Sequence, residues 1–538
     1  MKALSRRELL TLFLGAPVAA ACRARPAPAL DFDGRIAGAD HAVGHRVRDG
    51  FRPRPETESR CGVLVVGGGI AGLSAGWRLS RAGVEDWRLL ELDGRPGGTA
   101  RGGASAVGPY PWGAHYLPCP LPHARATVEL LREMGAATVD GEGRLAFDEA
   151  QLCRAPQERL FVADRWYEGL FPRAGASDRD LAEWARFQAE TARLAALHDG
   201  RGRKVFAVPS AHGSDDPAWT ALDRLSFADW FAARGFRSPR LRWMLEYACR
   251  DDYGSTPEDT SAWAGLHYFA CRTETGGPDD LLTWPEGNAR IATWLARGAG
   301  RRVETGVAVL AVEPLARGAA VLAWRPATGR AERIVADQVV LAVPRVVAAR
   351  MLPHPRLAAE AREFRAGAWL VANLTLRRRP RSRGFPEAWD NVLYGSKSLG
   401  YVVATHQTDR HGPPGPGQWT WYLSLTDADA PAAHRWLAGP SWREGAELVV
   451  ADLSRAHPDV GACIERLDLW RWGHAMIRPR PGFVFSPLRR EAWRPIGDVH
   501  FAHTDLSALP LFEEAQHHGV RAAEEILRKR GVRSPSLL

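Results

Sequence analysis

The chain is expected to adopt an α/β fold, and three observations predict it. Four apolar residues, Val63 to Val66, run straight into Gly67-Gly68-Gly69. A helical pattern over 70–82 follows, with Leu73, Trp77 and Leu79 near one face. A second apolar run, Trp87 to Leu92, resumes after Gly83. Strand, glycine turn, helix and strand within about thirty residues make a β-α-β crossover, which belongs to a parallel sheet.

Ahead of the crossover, Arg6-Arg7 precede an apolar stretch from Leu9 to Ala21. It is too short for a bilayer, which takes about 20 residues. Residues 1–22 therefore read as an export signal of the twin-arginine type, a route for proteins already folded. Its destination is the periplasm or the outer face of the cytoplasmic membrane. Ala19-Ala20-Ala21-Cys22 admits two processings: simple cleavage, or a lipoprotein site that tethers the chain to the membrane through Cys22. Residues 23–59, rich in Pro, Ala, Arg and Gly without a sustained period, read as a tether.

Beyond the crossover, residues 120–277 look mainly helical, with clear segments at 178–198 and 225–249. Strand patterns return at Val303 to Val312, Val321 to Trp324 and Gln338 to Ala342. A mixed region follows to Ile496. A last strand, Val499 to Ala502, leads through a loop into a helix over 513–529.

The bulk numbers agree with a large folded core: 538 residues, 45% hydrophobic and 25% charged. The formal charge is +9 and the pI about 9.4, but the arginines are scattered and only four lysines occur. A nucleic-acid partner, which would want basic residues gathered on one face, is excluded on that ground. Seven cysteines are present without a Cys-x-x-Cys pair, so no metal site is expected and disulfide pairing stays open.

Gly67-Gly68-Gly69-Ile70-Ala71-Gly72 satisfies the pattern G-x-G-x-x-G in the context that gives it meaning, after a strand and at the start of a helix. Gly67 permits the tight turn, Gly69 lets the backbone approach a pyrophosphate at the helix N-terminus, and Gly72 lets helix and strand pack closely. Glu91 closes the second strand about 20 residues on, where a carboxylate accepts hydrogen bonds from a ribose. This is a Rossmann-type dinucleotide unit.

Further stretches decide between dinucleotides by resemblance. Gly97-Gly98 behind Glu91, then Trp112-Gly113-Ala114-His115-Tyr116, Pro285-Glu286-Gly287-Asn288, Val309, Asp337 to Pro344, and Phe501-Ala502-His503-Thr504-Asp505 occur in order. Together with Gly519-Val520-Arg521, they resemble the flavin amine oxidase and phytoene-desaturase superfamily. That resemblance implies FAD, wrapped by Gly97, Gly98 and Thr99, with Arg101 supplying the charge that the family's usual arginine at the Thr99 position would carry. It places Gly113, Ala114 and His115 beside the flavin ring, Val309 at the adenine, and Asp505 at the pyrophosphate and ribityl region. It also implies a discontinuous FAD-binding domain (60–118, 284–345 and 496–530) with an inserted α+β substrate domain (119–283 and 346–495).

The chain departs from the family pattern in several places. The family's oxidases place a lysine near the flavin on the strand read here as Trp369 to Leu376, which contains none. At the family's aromatic-cage positions stand Gly482 and Leu511, and Pro481 occupies the attachment point for a covalent flavin, implying non-covalent FAD. His503 and Glu514 replace glycines, which brings Glu514 toward the flavin carbonyl.

Because flavin performs the hydride chemistry itself, no acid–base constellation is required. His115 is the catalytic candidate, against the alternative of a structural imidazole. Glu246, Asp251 and Asp252 at a helix end could bind a cationic amine or merely cap and solvate that end. His517-His518 lacks the carboxylate spacing of a metal site. The expected function is oxidation of an amine C–N bond by hydride transfer to FAD, with a small-molecule substrate and O₂ or a quinone as acceptor. Two alternatives stand beside it: a C–C desaturase or porphyrinogen-type oxidase feeding a quinone, and a non-enzymatic flavin-binding accessory protein.

Overall fold

Gly67 turns the chain out of the strand Thr57–Val66 at φ +102°, a conformation that side chains rarely allow. The strand itself is buried from Cys61 to Val66, as a central parallel strand must be. It is the centre of a seven-stranded sheet in the computed structural model, which describes residues 30–142, 144–273, 280–408, 415–426 and 430–538. The export signal expected over residues 1–22, with Cys22, lies outside the described residues.

In that sheet Val303–Thr305, Trp87–Glu91, Thr57–Val66 and Ala331–Leu341 run parallel side by side. The long strand Ala331–Leu341 divides its far edge. Its first half pairs with the antiparallel ribbon Ala319–Trp324 and Ala308–Pro314, and its end pairs in parallel with Val499–Phe501. Three separated stretches of sequence thus build one sheet. The helix Ile70–Arg81 covers it, flanked by Ala289–Ala299 and Phe512–Lys529.

The second sheet has eight strands in the order Ile36–Gly38, Ile464–Ile477, Ala366–Leu376, Gly417–Ser424, Tyr401–Val403, Asp390–Leu393, Glu158–Val162 and Arg165–Glu168. It is antiparallel except for its first pair and the pair Asp390–Leu393 with Glu158–Val162. Helices Asp178–Ala195, Phe227–Ala233, Pro239–Tyr253 and Ala262–Ala270 pack together beside it, as the helical reading of the middle region anticipates. The seven-stranded sheet draws its strands from residues 57–91, 303–341 and 499–501, and the eight-stranded sheet from 36–38, 158–168, 366–424 and 464–477.

Part of the stretch expected as a tether, residues 23–59, forms regular structure. Residues 30–55 are folded onto the body: Ile36–Gly38 adds an edge strand to the eight-stranded sheet, and His41–Arg48 forms a helix whose Val43 and Val47 are buried. Asp40 caps that helix by accepting the Val43 N–H, and Phe32 is buried against the second sheet. Spaced apolar residues in a Pro- and Arg-rich context gave too weak a period to be read from sequence. No helix among the described residues is long and apolar enough to cross a membrane.

Candidate active site

The glycine cradle is built before any side chain is involved. Gly97 N–H donates to the Gly68 carbonyl, which lays the Gly97-Gly98 loop beside the helix start. Gly97 and Gly98 hold φ values of +129° and +56°. A Cβ on Gly98 would sit 3.2 Å from Gly69 Cα, while one on Gly69 would meet nothing nearer than 4.0 Å. The two loops therefore face each other across an uncovered backbone floor. The helix Ile70–Arg81 has no side-chain cap and no acid in its first turn, so its N–H groups and dipole are available to a diphosphate. Gly72 acts in packing, since a Cβ there would run into the Gly67 carbonyl.

Glu91 sits at the end of its strand with Oε2 accepting the Gly68 N–H at 2.6 Å and Oε1 accepting the Asp93 N–H at 2.8 Å. Burial raises its carboxyl above the usual range, against the pull of those two donors. A cavity of about 430 Å³ runs from this cradle, past Val307 and Val309, to the eight-stranded sheet. Gly67, Gly69, Ile70, Ala71, Glu91, Gly97, Gly98, Thr99, Gly113, Ala114, His115 and Val309 all line it.

Two residues expected to hold the cofactor do not reach the cavity. The Arg101 guanidinium is turned to Asp93 at 3.1 Å and to the Arg95 carbonyl, and it lies over the Trp470 ring. Of Thr99 and Arg101 only Thr99 lines the cavity, so Arg101 does not supply the charge of the family's arginine. Asp505 is 5% exposed and accepts the Arg345 N–H at 2.7 Å, with His503 Nδ1 at 2.9 Å from its other oxygen. Burial works to raise its carboxyl, but His503 and the Arg345 N–H outweigh burial and hold it low. His503 and Thr504 line the cavity in its place.

His115 is ringed by Tyr422, Tyr116 and Trp389 at 5.0, 5.1 and 5.3 Å between ring centroids. The segment is pinned from both sides: Tyr422 Oη donates to the Gly113 carbonyl at 3.0 Å, and Thr283 Oγ1 donates to the His115 carbonyl at 2.8 Å. Burial pushes the imidazole down to about 4, so it is neutral at pH 7.

At the substrate end the residues that sequence left undecided become informative. Asp251 and Asp252 line the cavity, whereas Glu246 is 43% exposed and pairs with Arg242. Arg272 lies 4.0 Å from Asp252 and 3.6 Å from Glu513. Glu513, not Glu514, faces the cavity, because successive helical residues point about 100° apart. Glu514 is fully buried elsewhere, accepting the Ser210 N–H and the Ser507 hydroxyl.

These features fit a flavin dinucleotide: an uncapped helix start, a bare glycine floor, a ribose-side carboxylate and an apolar adenine wall. A profile described as flavin containing amine oxidoreductase matches residues 70–527.

The chain belongs to the flavin-containing amine oxidoreductase family.

Solved structures share its fold. Wild-type putrescine oxidase bound to putrescine has 17% identity, a TM-score of 0.61, and coverage of 88% of this chain and 100% of that one. Cyclohexylamine oxidase from Brevibacterium oxydans IH-35A has 17% identity, a TM-score of 0.58 and coverage of 88% and 99%. A CLA-producing fatty acid isomerase from P. acnes has 15% identity, a TM-score of 0.59 and coverage of 87% and 98%. No curated protein matches the chain.

Membership of the amine oxidoreductase family makes the protein an FAD-dependent oxidoreductase. The cavity takes in only some of the positions that sequence resemblance singled out. Leu511 lines the cavity, but Gly482 and Pro481 do not; the wall there is the strand end Trp472, His474, Ala475 and Met476. Trp369, Tyr422 and Trp472 supply aromatic surface that the expected cage positions lack. The strand Ala366–Leu376, read by resemblance as the family's lysine strand, presents Trp369 and Val371 to the cavity.

Proposed function

We propose that this oxidoreductase takes a hydride from the carbon beside the nitrogen of a small amine, with non-covalent FAD as acceptor. The observation that carries the reading is the pair Asp251 and Asp252 on the cavity wall, in a position to receive a substrate that arrives as an ammonium ion. FAD, when bound, accepts the hydride; the chain binds, orients and keeps water out. Trp369, Val371, Leu399 and Tyr422 shape an apolar floor, and neutral His115 adds no positive charge that would repel an ammonium. Among the described residues no cysteine lines the cavity, which supports non-covalent binding.

The test is anaerobic mixing of the purified holoprotein with a panel of monoamines, diamines and polyamines, following flavin absorbance. Bleaching by amines supports the reading; an unbleached flavin across the panel rejects it. The second reading, dehydrogenation of an apolar substrate with electrons passing to a quinone, is favoured by the Trp369-bearing strand without lysine. It requires bleaching by alkene or porphyrinogen substrates in the same experiment, and reoxidation faster by quinone than by O₂. Export of the loaded enzyme is inferred from Arg6-Arg7, and anchoring at Cys22 from the alanines before it. Loss of membrane association in Cys22→Ser, with activity moving to the soluble exported fraction, tests the anchor.

A further inference from the structure

Asp251 stands on the cavity wall in the last turn of the helix Pro239–Tyr253, where the carbonyl end of the helix disfavours an anion. Its neighbours on that helix are Asp252 and, one turn back, Tyr247. Tyr247 Oη donates to Asp390 at 3.1 Å, and Asp390 is paired in register with Glu158 on the adjoining parallel strand. From the segment after helix Ala262–Ala270 comes Arg272, the nearby cation, but Asp252 and Glu513 already share it. Tyr268 and Tyr422 complete the groups that act on Asp251. Among the described residues no salt bridge reaches Asp251, Asp390 or Glu158. Asp251 and Asp252 thus share a cavity whose nearby guanidinium is committed to Asp252 and Glu513, while Asp390 acts on Asp251 from the eight-stranded sheet.

We propose that Asp251 is the residue by which the cavity recognises a cation, giving up its own proton to solvent when a positively charged ligand enters. The choice of a cation as ligand rests on the amine reading above. Burial, then Asp252 and Asp390, favour the protonated acid, with Arg272 opposing them more weakly. An incoming ammonium supplies the missing countercharge. The only bond broken is the Asp251 O–H, the proton leaves to water, and the carboxylate left behind pairs with the ligand; nothing is oxidised or reduced. The net charge of the site is the same before and after. An uncharged molecule of equal shape gains nothing from this exchange, so Asp251 selects for charge and not merely for size.

The experiment uses the FAD-loaded protein and butyltrimethylammonium, a permanent cation with no proton of its own. Calorimetric binding in two buffers of different ionisation enthalpy at one pH counts the protons released. About one proton per cation is expected, with affinity rising about tenfold per pH unit while the free acid remains protonated. Uncharged 3,3-dimethylbutan-1-ol should release none. Asp251→Asn, which keeps the shape, should bind the cation without proton release and with pH-independent affinity, whereas Asp390→Asn should still release it. The wild-type measurement stands without either variant folding. Binding without proton release, release that survives in Asp251→Asn, or no saturable binding of the cation overturns the proposal. Amine bleaching without proton release defeats this inference alone; proton release without bleaching defeats the amine-oxidation reading and leaves Asp251 as a cation sensor.

Discussion

Gly519 rests against Ala71: a Cβ at Gly519 would collide with the Ala71 carbonyl oxygen and lie 3.0 Å from the Ser74 Cβ. The contact locks the helix Phe512–Lys529 onto the helix Ile70–Arg81. One helix starts at the glycine cradle and the other carries Glu513 to the cavity. Gly519→Ala forces them apart, and overpacking of this kind costs about 1–3 kcal/mol. The variant is expected to melt at lower temperature and to lose FAD more readily in equilibrium dialysis. Wild-type behaviour in both measurements would mean that the helices have room to spare.

Glu91 holds the cradle from the other side. Its two oxygens take the Gly68 and Asp93 N–H groups, so the carboxylate positions the turn as well as meeting a ribose. Hydrogen bonds to a charged acceptor are worth about 1.5–3 kcal/mol. Glu91→Gln should therefore weaken FAD binding by about ten- to a hundredfold, read from fluorescence titration of the apoprotein. An unchanged affinity would show that the ribose contact is dispensable.

What sequence revealed and what it hid divide along the range of the interaction. Gly67, Gly69 and Gly72 act on neighbours a few residues away, so their spacing alone is informative. Asp251 and Arg272 come together only when two helices pack, and no spacing announces it. Resemblance assigns Arg101 to the cavity in place of the arginine that Thr99 displaces; Asp93, eight positions earlier, captures it instead. Glu513 and Glu514 are chemically identical in the sequence. Their different directions are fixed by the rotation of a helix whose start, at Leu511, no capping residue marks.

The N-terminal segment gives a third prediction. Ile36–Gly38 protects an edge of the strand Ile464–Ile477, and the Arg35 N–H donates to Asp468 at 3.0 Å. Removing residues 1–55 exposes that edge, and with it the strand that ends in Trp472 and Met476 on the cavity wall. Compared with a chain that begins at residue 30, the shorter one should melt lower and aggregate faster, since unpaired edges recruit other strands. Equal melting temperatures would restore the reading of this segment as a tether.

His115 makes the site sensitive to acid in a way that can be signed. Burial pushes its imidazole down to about 4, opposed by a hydrogen bond at Gly113. An unfolded histidine titrates near 6.5, so between the two values the unfolded chain binds the extra proton and the folded one does not. Stability from this group is therefore complete above about pH 6.5 and drains away as the pH falls toward 4, by about 3 kcal/mol in all. His115→Phe keeps a ring among Tyr116, Trp389 and Tyr422 but has nothing to protonate. Its stability relative to wild type should rise steadily between pH 6.5 and 4 in denaturant titrations, because the other histidines contribute equally to both proteins. Parallel curves across that range would mean that His115 is already charged in the fold, and would remove it as a neutral neighbour for an ammonium substrate.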